Sequence, residues 1–171
     1  KENREKLSYI FERSFHYLMI LAIPAAIGIH TLSYDIINTV YGSDYIPSVF
    51  TLKILILSLI FLFLNIPIGS LMSASDRQPL YTAFMGIAMV VNIALNWVLI
   101  PQFQTLGAAV ATVAAHGTLF LLGLIAVGGV IRYNRLKIIF NFILLITSIV
   151  IEKQDKTKET TLSAGSFLLY I

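Results

Sequence analysis

No cysteine occurs among the 171 residues, which excludes disulfides, cysteine-bound zinc and thiol chemistry and leaves the redox compartment unread. Charge is almost as scarce: Asp, Glu, Lys and Arg make up 12% of the chain, against about 25% in soluble domains. The net charge of +3 comes without a stripe of basic residues interleaved with aromatics, so no nucleic-acid partner is expected. A Walker phosphate loop, a dinucleotide glycine fingerprint and a paired-histidine zinc helix are all missing. The chain therefore does not read as an enzyme, and no catalytic residue, cofactor or metal is expected. Nothing in it would hydrolyse ATP, so moving a substrate would draw on an ion gradient, the substrate's own gradient or another subunit.

What fills the sequence instead is apolar: 57% of residues are hydrophobic, with a mean hydropathy of +0.84. A soluble domain could bury much of that, but not in uninterrupted runs long enough to cross a bilayer core, which takes about 20 residues of helix. Five such spans are expected, over 15–34 (with an amphipathic continuation to Tyr41), 49–72, 80–100, 107–131 and a shorter 136–151. Helix is the expected element because an open strand would leave its amides unpaired in lipid. The fold class is thus all-α, an integral membrane helical bundle. Residues 1–14 read as a cytoplasmic connecting segment, and 152–171 as a polar loop leading into an apolar end. The opening on Lys1 and the apolar stub at 167–171 suggest a piece of a longer protein. The first apolar run carries His16, Pro24 and His30 and is too long for a secretory signal.

Short polar connectors force successive spans to alternate direction, and the basic residues then sort by side. With the N-terminal segment in the cytoplasm, the inside holds Lys1, Arg4, Lys6, Arg13, Arg77, Arg132, Arg135 and Lys137. The outside connectors 42–47 and 101–106 hold no Lys or Arg, which is the positive-inside pattern of a multi-pass protein of the cell membrane. The segment after Ile151 fits less well, since Lys153, Lys156 and Lys158 fall outside, offset by Glu152, Asp155 and Glu159.

Polar side chains at membrane depth mark the candidate sites, because burying them costs free energy unless they are partnered or face water. Ser58, Asn65, Gly69 and Ser73 share one face of the second span, and Asn92 and Asn96 share one face of the third. Both sets fit either a hydrated pathway or hydrogen bonding between helices. Lys53, a charge inside a span, is shallow enough to snorkel and equally suited to an anionic lipid phosphate. Asp35, with His30 deeper in the same helix, could relay protons or hold an ion, or simply sit wet at the interface. His116 follows Ala108 and Thr112 at four-residue spacing and is expected to hydrogen-bond a neighbouring helix. Pro24 and Pro67 mark kinks or hinges.

Several stretches, in order, resemble one family. These are Leu21-Ala22-Ile23-Pro24-Ala25-Ala26-Ile27-Gly28, then Ile36 to Tyr45 with its Tyr41-Gly42 turn, then Leu64-Asn65-Ile66-Pro67-Ile68-Gly69. The last pair is Asn92-Ile93-Ala94-Leu95-Asn96-Trp97-Val98-Leu99-Ile100-Pro101 followed by Gly107-Ala108-Ala109-Val110-Ala111-Thr112. Together they are similar to the C-terminal half of Wzx-like polysaccharide flippases, of the multidrug/oligosaccharidyl-lipid/polysaccharide exporter superfamily. The resemblance covers residues 9–137. It implies part of the C-terminal lobe of a two-lobe carrier that moves lipid-linked oligosaccharides by alternating access. Its partners would be membrane lipids, the lipid-linked glycan and the remaining lobe of the same chain. On that reading Lys53, Asn65, Asn92 and Asn96 are the pathway residues. A drug or cation antiporter of the same superfamily, or a non-transporting membrane subunit of glycan assembly, are the alternatives.

Overall fold

The computed structural model describes residues 2–131, all of them in helices and tight turns. The expected fifth span, 136–151, and the segment 152–171 lie outside the described residues. Four long helices follow one another: α1 (Glu2–Val40), α2 (Ser48–Ala74), α3 (Gln78–Phe103) and α4 (Thr105–Gly128), with a short 3-10 turn at Ser43–Tyr45. At 1.5 Å per residue the shortest, of 24 residues, is about 36 Å long. All four are long and apolar enough to cross a membrane. Their uncovered surfaces are what a bilayer requires: Trp97 is 82% exposed and Ile125 75%. Surface of this kind would aggregate in water. The described region is a multi-pass membrane bundle.

Helix α1 starts well before the first apolar run. Residues 2–13 contain no Gly or Pro and are rich in Glu, Lys, Arg and Leu, all good helix formers. They extend a stripe of buried residues, Phe11, Phe15, Met19, Ala22, Ala26, Ser33 and Ile37, at three-, four- and seven-residue steps. Residues read from sequence as a connecting segment are therefore mostly the first turns of α1. Pro24 lies on the exposed flank of that helix and Pro67 is buried within α2. Helix α1 ends where Gly42 takes φ +90°, a conformation that a side chain would strain.

The packing order differs from the chain order. Helix α2 packs against α1 and α4, while α3 packs chiefly against α4 and touches α2 little. About a third of the apolar stretch of α4 and 28% of that of α2 are buried, against 6% of that of α3, so α2 and α4 are the inner helices and α3 is peripheral. Small residues make this central position feasible. A Cβ on Gly123 would come within 2.7 Å of Ile68 on α2, and one on Gly107 within 2.4 Å of the Leu99 carbonyl oxygen on α3. Phe120 joins the layers, its ring 6.4 Å from that of Phe15 on α1 and 5.7 Å from that of Phe61 on α2.

The two ends of the bundle are defined by contacts between joints. The Thr51 and Thr105 hydroxyls are 3.4 Å apart, bringing the starts of α2 and α4 together. At the other end Arg77, in the α2–α3 joint, lies against Gly129 just past α4, where its positive charge complements the helix dipole. That joint closes as a Schellman turn: Arg77 N–H donates to the Met72 carbonyl at 2.9 Å, and Asp76 adopts φ +55°. The α3–α4 joint is tighter than the loop of 101–106 expected from sequence. Helix α3 runs through Pro101 to Phe103, and Gln104 alone reverses the chain with φ +50° and ψ −124°. Pro101 does not stop α3 because it lacks only its own N–H, and the Gln104 N–H still donates to the Ile100 carbonyl at 2.8 Å.

Candidate functional site

Three polar side chains are buried among the described residues: Ser33 on α1, which donates to the His30 carbonyl on its own helix, and Ser58 and Asn65 on α2. Asn65 is 7% exposed and Ser58 8% exposed, in helices whose other buried residues are almost all apolar. Ser58 satisfies itself on its own helix, donating to the Leu55 carbonyl at 2.7 Å. Asn65 reaches across to α4, its Nδ2 donating to the His116 carbonyl oxygen at 3.2 Å. That bond fixes the amide orientation, because the flipped group would set an acceptor against a carbonyl. The Asn65 Oδ1 is then left buried with no hydrogen-bond partner among the described residues. Such an acceptor is uncommon in a folded interior and costly in an apolar one. The Asn65 main-chain carbonyl also accepts from the Tyr81 hydroxyl at 3.2 Å, which ties the start of α3 to α2 beside Gly69.

His116 contributes through its backbone to the contact with α2. Its ring Nδ1 stands 3.0 Å from the Thr112 carbonyl one turn back, so the Nδ1 carries a hydrogen and donates it to that carbonyl. The seam of Asn65, His116, Thr112 and Tyr81 thus joins three helices by polar contacts within an apolar bundle. Of the face expected to run from Ser58 to Ser73, Ser58 and Asn65 are buried between helices, Gly69 abuts Tyr81, and Ser73 is exposed.

The other sequence-derived residues lie apart from this seam. Asn96 Nδ2 donates to Asn92 Oδ1 at 2.9 Å, so the two amides pair within α3. Asn96 Oδ1 is a second buried acceptor left unpartnered among the described residues. Lys53 is half-buried near the start of α2, twelve residues and about 18 Å of helix from Asn65. Asp35 is exposed and His30 half-buried on α1. Five residues of helix turn them about 140° apart, which sets them on different flanks. No group of three or more metal-ligating side chains is found among the described residues. Tyr81 was not legible as a site residue. Its only sequence signal is a hydroxyl-bearing aromatic three residues into α3.

In sequence, the chain is similar to a glycan flippase. Over 112 residues, 66% of this chain, it is 32% identical to a Haloferax volcanii protein named "Probable low-salt glycan biosynthesis flippase Agl15", covering 24% of that protein. It is also 29% identical over 116 residues to "Uncharacterized membrane protein MJ1068" of Methanocaldococcus jannaschii, covering 23% of it. The chain thus spans about a quarter of the length of the curated relatives it matches. No family model matches the sequence, and no solved structure matches it at significance. The relatives support a flippase-like membrane protein in general, coarser than the Wzx-like resemblance.

Proposed function

We propose that this chain is part of a membrane carrier that moves lipid-linked glycan intermediates across the cell membrane by alternating access. The observation that carries the reading is the similarity to a named glycan flippase, in a chain whose described part is four membrane-length helices. The polar seam at Asn65 supports it, since a buried acceptor without a partner is a place for hydroxyl-rich cargo or water. Lys53 would supply an ammonium for the lipid phosphate near the end where α2 and α4 begin, and the Asn92–Asn96 pair further donors and acceptors on α3. The remaining lobe would come from the same full-length chain.

Orientation is the first thing to test. The reading puts the N-terminus and Arg77 in the cytoplasm and Ser43 outside. Because the sequence has no cysteine, Ser43→Cys and Ser75→Cys can be made singly in the corresponding segment of the full-length protein, provided native cysteines elsewhere are removed. An impermeant thiol reagent on intact cells should label Cys at 43 and leave Cys at 75 untouched. Labelling at 75 alone, or equally at both, rejects the orientation.

Transport is tested by glycan export in cells that depend on the full-length protein. Lys53→Ala should reduce export about tenfold if the ammonium meets a phosphate, as the loss of one charge-assisted contact implies. Lys53→Arg should retain most of it. Equal export by all three proteins removes Lys53 from the pathway.

A further inference from the structure

Arg13 is held in a way that the helix packing does not require. It lies on the flank of α1 opposite the buried stripe of Phe11, Phe15 and Met19, and is itself exposed. Tyr9 and Tyr17, one turn before and one turn after, stand on the same flank. The guanidinium carbon is 5.6 Å from the centre of each ring. Its Nε donates to the Tyr17 hydroxyl at 3.0 Å, and Nη1 donates to the Tyr9 hydroxyl.

Donor accounting shows what this group lacks. A guanidinium has five N–H donors and no acceptor, and each phenol accepting one of them still has its own O–H to give. Two N–H groups are used inside the cluster, leaving three, plus two hydroxyl protons. Arg13 forms no ion pair among the described residues, and its hydrogen bonds go only to the two tyrosines. An anion with several acceptor oxygens, the chemistry of a phosphate, would use all of these donors at once.

Its level in the bundle says where that phosphate would come from. Phe15 stacks on Phe120, eight residues from the end of α4, on the half of the bundle that ends at Arg77. Arg13 is two residues further toward that end, about 9 Å of helix rise short of where α4 stops. An Arg side chain can snorkel over this distance, and aromatic residues collect at this depth. Tyr9 lies another turn outward.

We propose that Tyr9, Arg13 and Tyr17 form a headgroup site for an anionic phospholipid at the Arg77 end of the bundle. The tyrosines hold the guanidinium extended along the helix, so its free edge faces the phosphodiester. His16, exposed three residues on from Arg13, adds a further N–H beside it. The site is independent of the transport reading, since it involves none of the pathway residues.

The test uses the purified full-length protein in detergent, with bound lipids counted by native mass spectrometry during titration with phosphatidylglycerol or phosphatidylcholine. Phosphatidylglycerol should be retained in preference. Arg13→Gln should raise its half-saturating concentration about tenfold. Tyr9→Phe with Tyr17→Phe keeps the charge and the apolar rings, and should raise it about threefold. Retention of phosphatidylglycerol by Arg13→Gln equal to wild type overturns the site, as does wild-type indifference between the two lipids. An inorganic phosphate arm separates the sources. If phosphate displaces phosphatidylglycerol at equal concentration, the cluster takes free anions and the lipid assignment is overturned; no displacement supports it.

Discussion

Gly107→Ala should lower the stability of the bundle by about 2–3 kcal/mol, at the upper end of the ordinary cost of overpacking. The added methyl would sit 2.4 Å from the Leu99 carbonyl oxygen and 2.5 Å from its carbon. Both are backbone atoms of α3, so no side chain can rotate out of the way. Nor can the helices part freely, because Gln104 alone joins them and already has an unusual φ of +50°. Opening the hairpin would also pull α3 from its main packing partner, α4. Gly123→Ala should cost less, about 1 kcal/mol, because its methyl meets the side chain of Ile68. That side chain is β-branched and stiff, but it is not the backbone. Gly86→Ala should be neutral or stabilising by up to about 1 kcal/mol, since nothing lies within 4 Å of the added atom and alanine favours the helix. Thermal unfolding of the full-length protein in detergent gives the order. If Gly107→Ala is as mild as Gly86→Ala, the close crossing of α3 and α4 is wrong.

The same glycine shows what sequence carries about this bundle. Long apolar runs identify the helices because lipid leaves the backbone no other way to satisfy its amides. The Gly107-Ala108-Ala109 run marks a close crossing, since small residues in a membrane helix let backbones approach. Which helix it meets is not written there. That α4 rather than α3 lies beside α2 depends on how all four pack. The joint at Gln104 was hidden for a different reason. A Pro near the end of an apolar run signals a stop, yet Pro101 removes only one bond of the last turn and the helix runs on to Phe103. The early start of α1 was hidden because its charged first turns look like a loop when hydropathy alone is read. Their period shows only once Phe11 is seen to bury with Phe15 and Met19.

For the polar residues, spacing was informative and partners were not. Asn92 and Asn96 are four apart, and four-residue spacing brings side chains together on a helix, so among the described residues they bond each other. Asn65 stands out in sequence as an amide in an apolar run. Its partner, the His116 carbonyl, could not be found by residue type, since every residue has one. His116 was expected to hydrogen-bond a neighbouring helix, and it does so through its carbonyl, while its ring stays on its own helix at Thr112.

Asn65 also gives the sharpest separation between a structural role and a transport role, through two substitutions. Asn65→Asp should destabilise the bundle by about 3 kcal/mol or more, the cost of an acidic side chain near the middle of a membrane helix. The new oxygen would face the His116 carbonyl where Nδ2 now donates, so the carboxyl must be protonated to stay. Asn65→Leu removes the same bond but also removes the unpartnered Oδ1, and keeps the same branched heavy-atom skeleton with methyl groups in place of the amide oxygen and nitrogen. Losing one hydrogen bond costs about 1 kcal/mol, and relieving a buried unsatisfied acceptor returns a similar amount. The leucine variant should therefore be as stable as wild type within about 1 kcal/mol. If Asn65 only joins α2 to α4, the leucine variant should export glycan normally in cells. If its free acceptor faces the cargo path, export should fall about tenfold at unchanged stability, because cargo or water loses its hydrogen-bond partner there. A leucine variant more than about 2 kcal/mol less stable would mean that the amide holds the helices together by bonds beyond the one to His116.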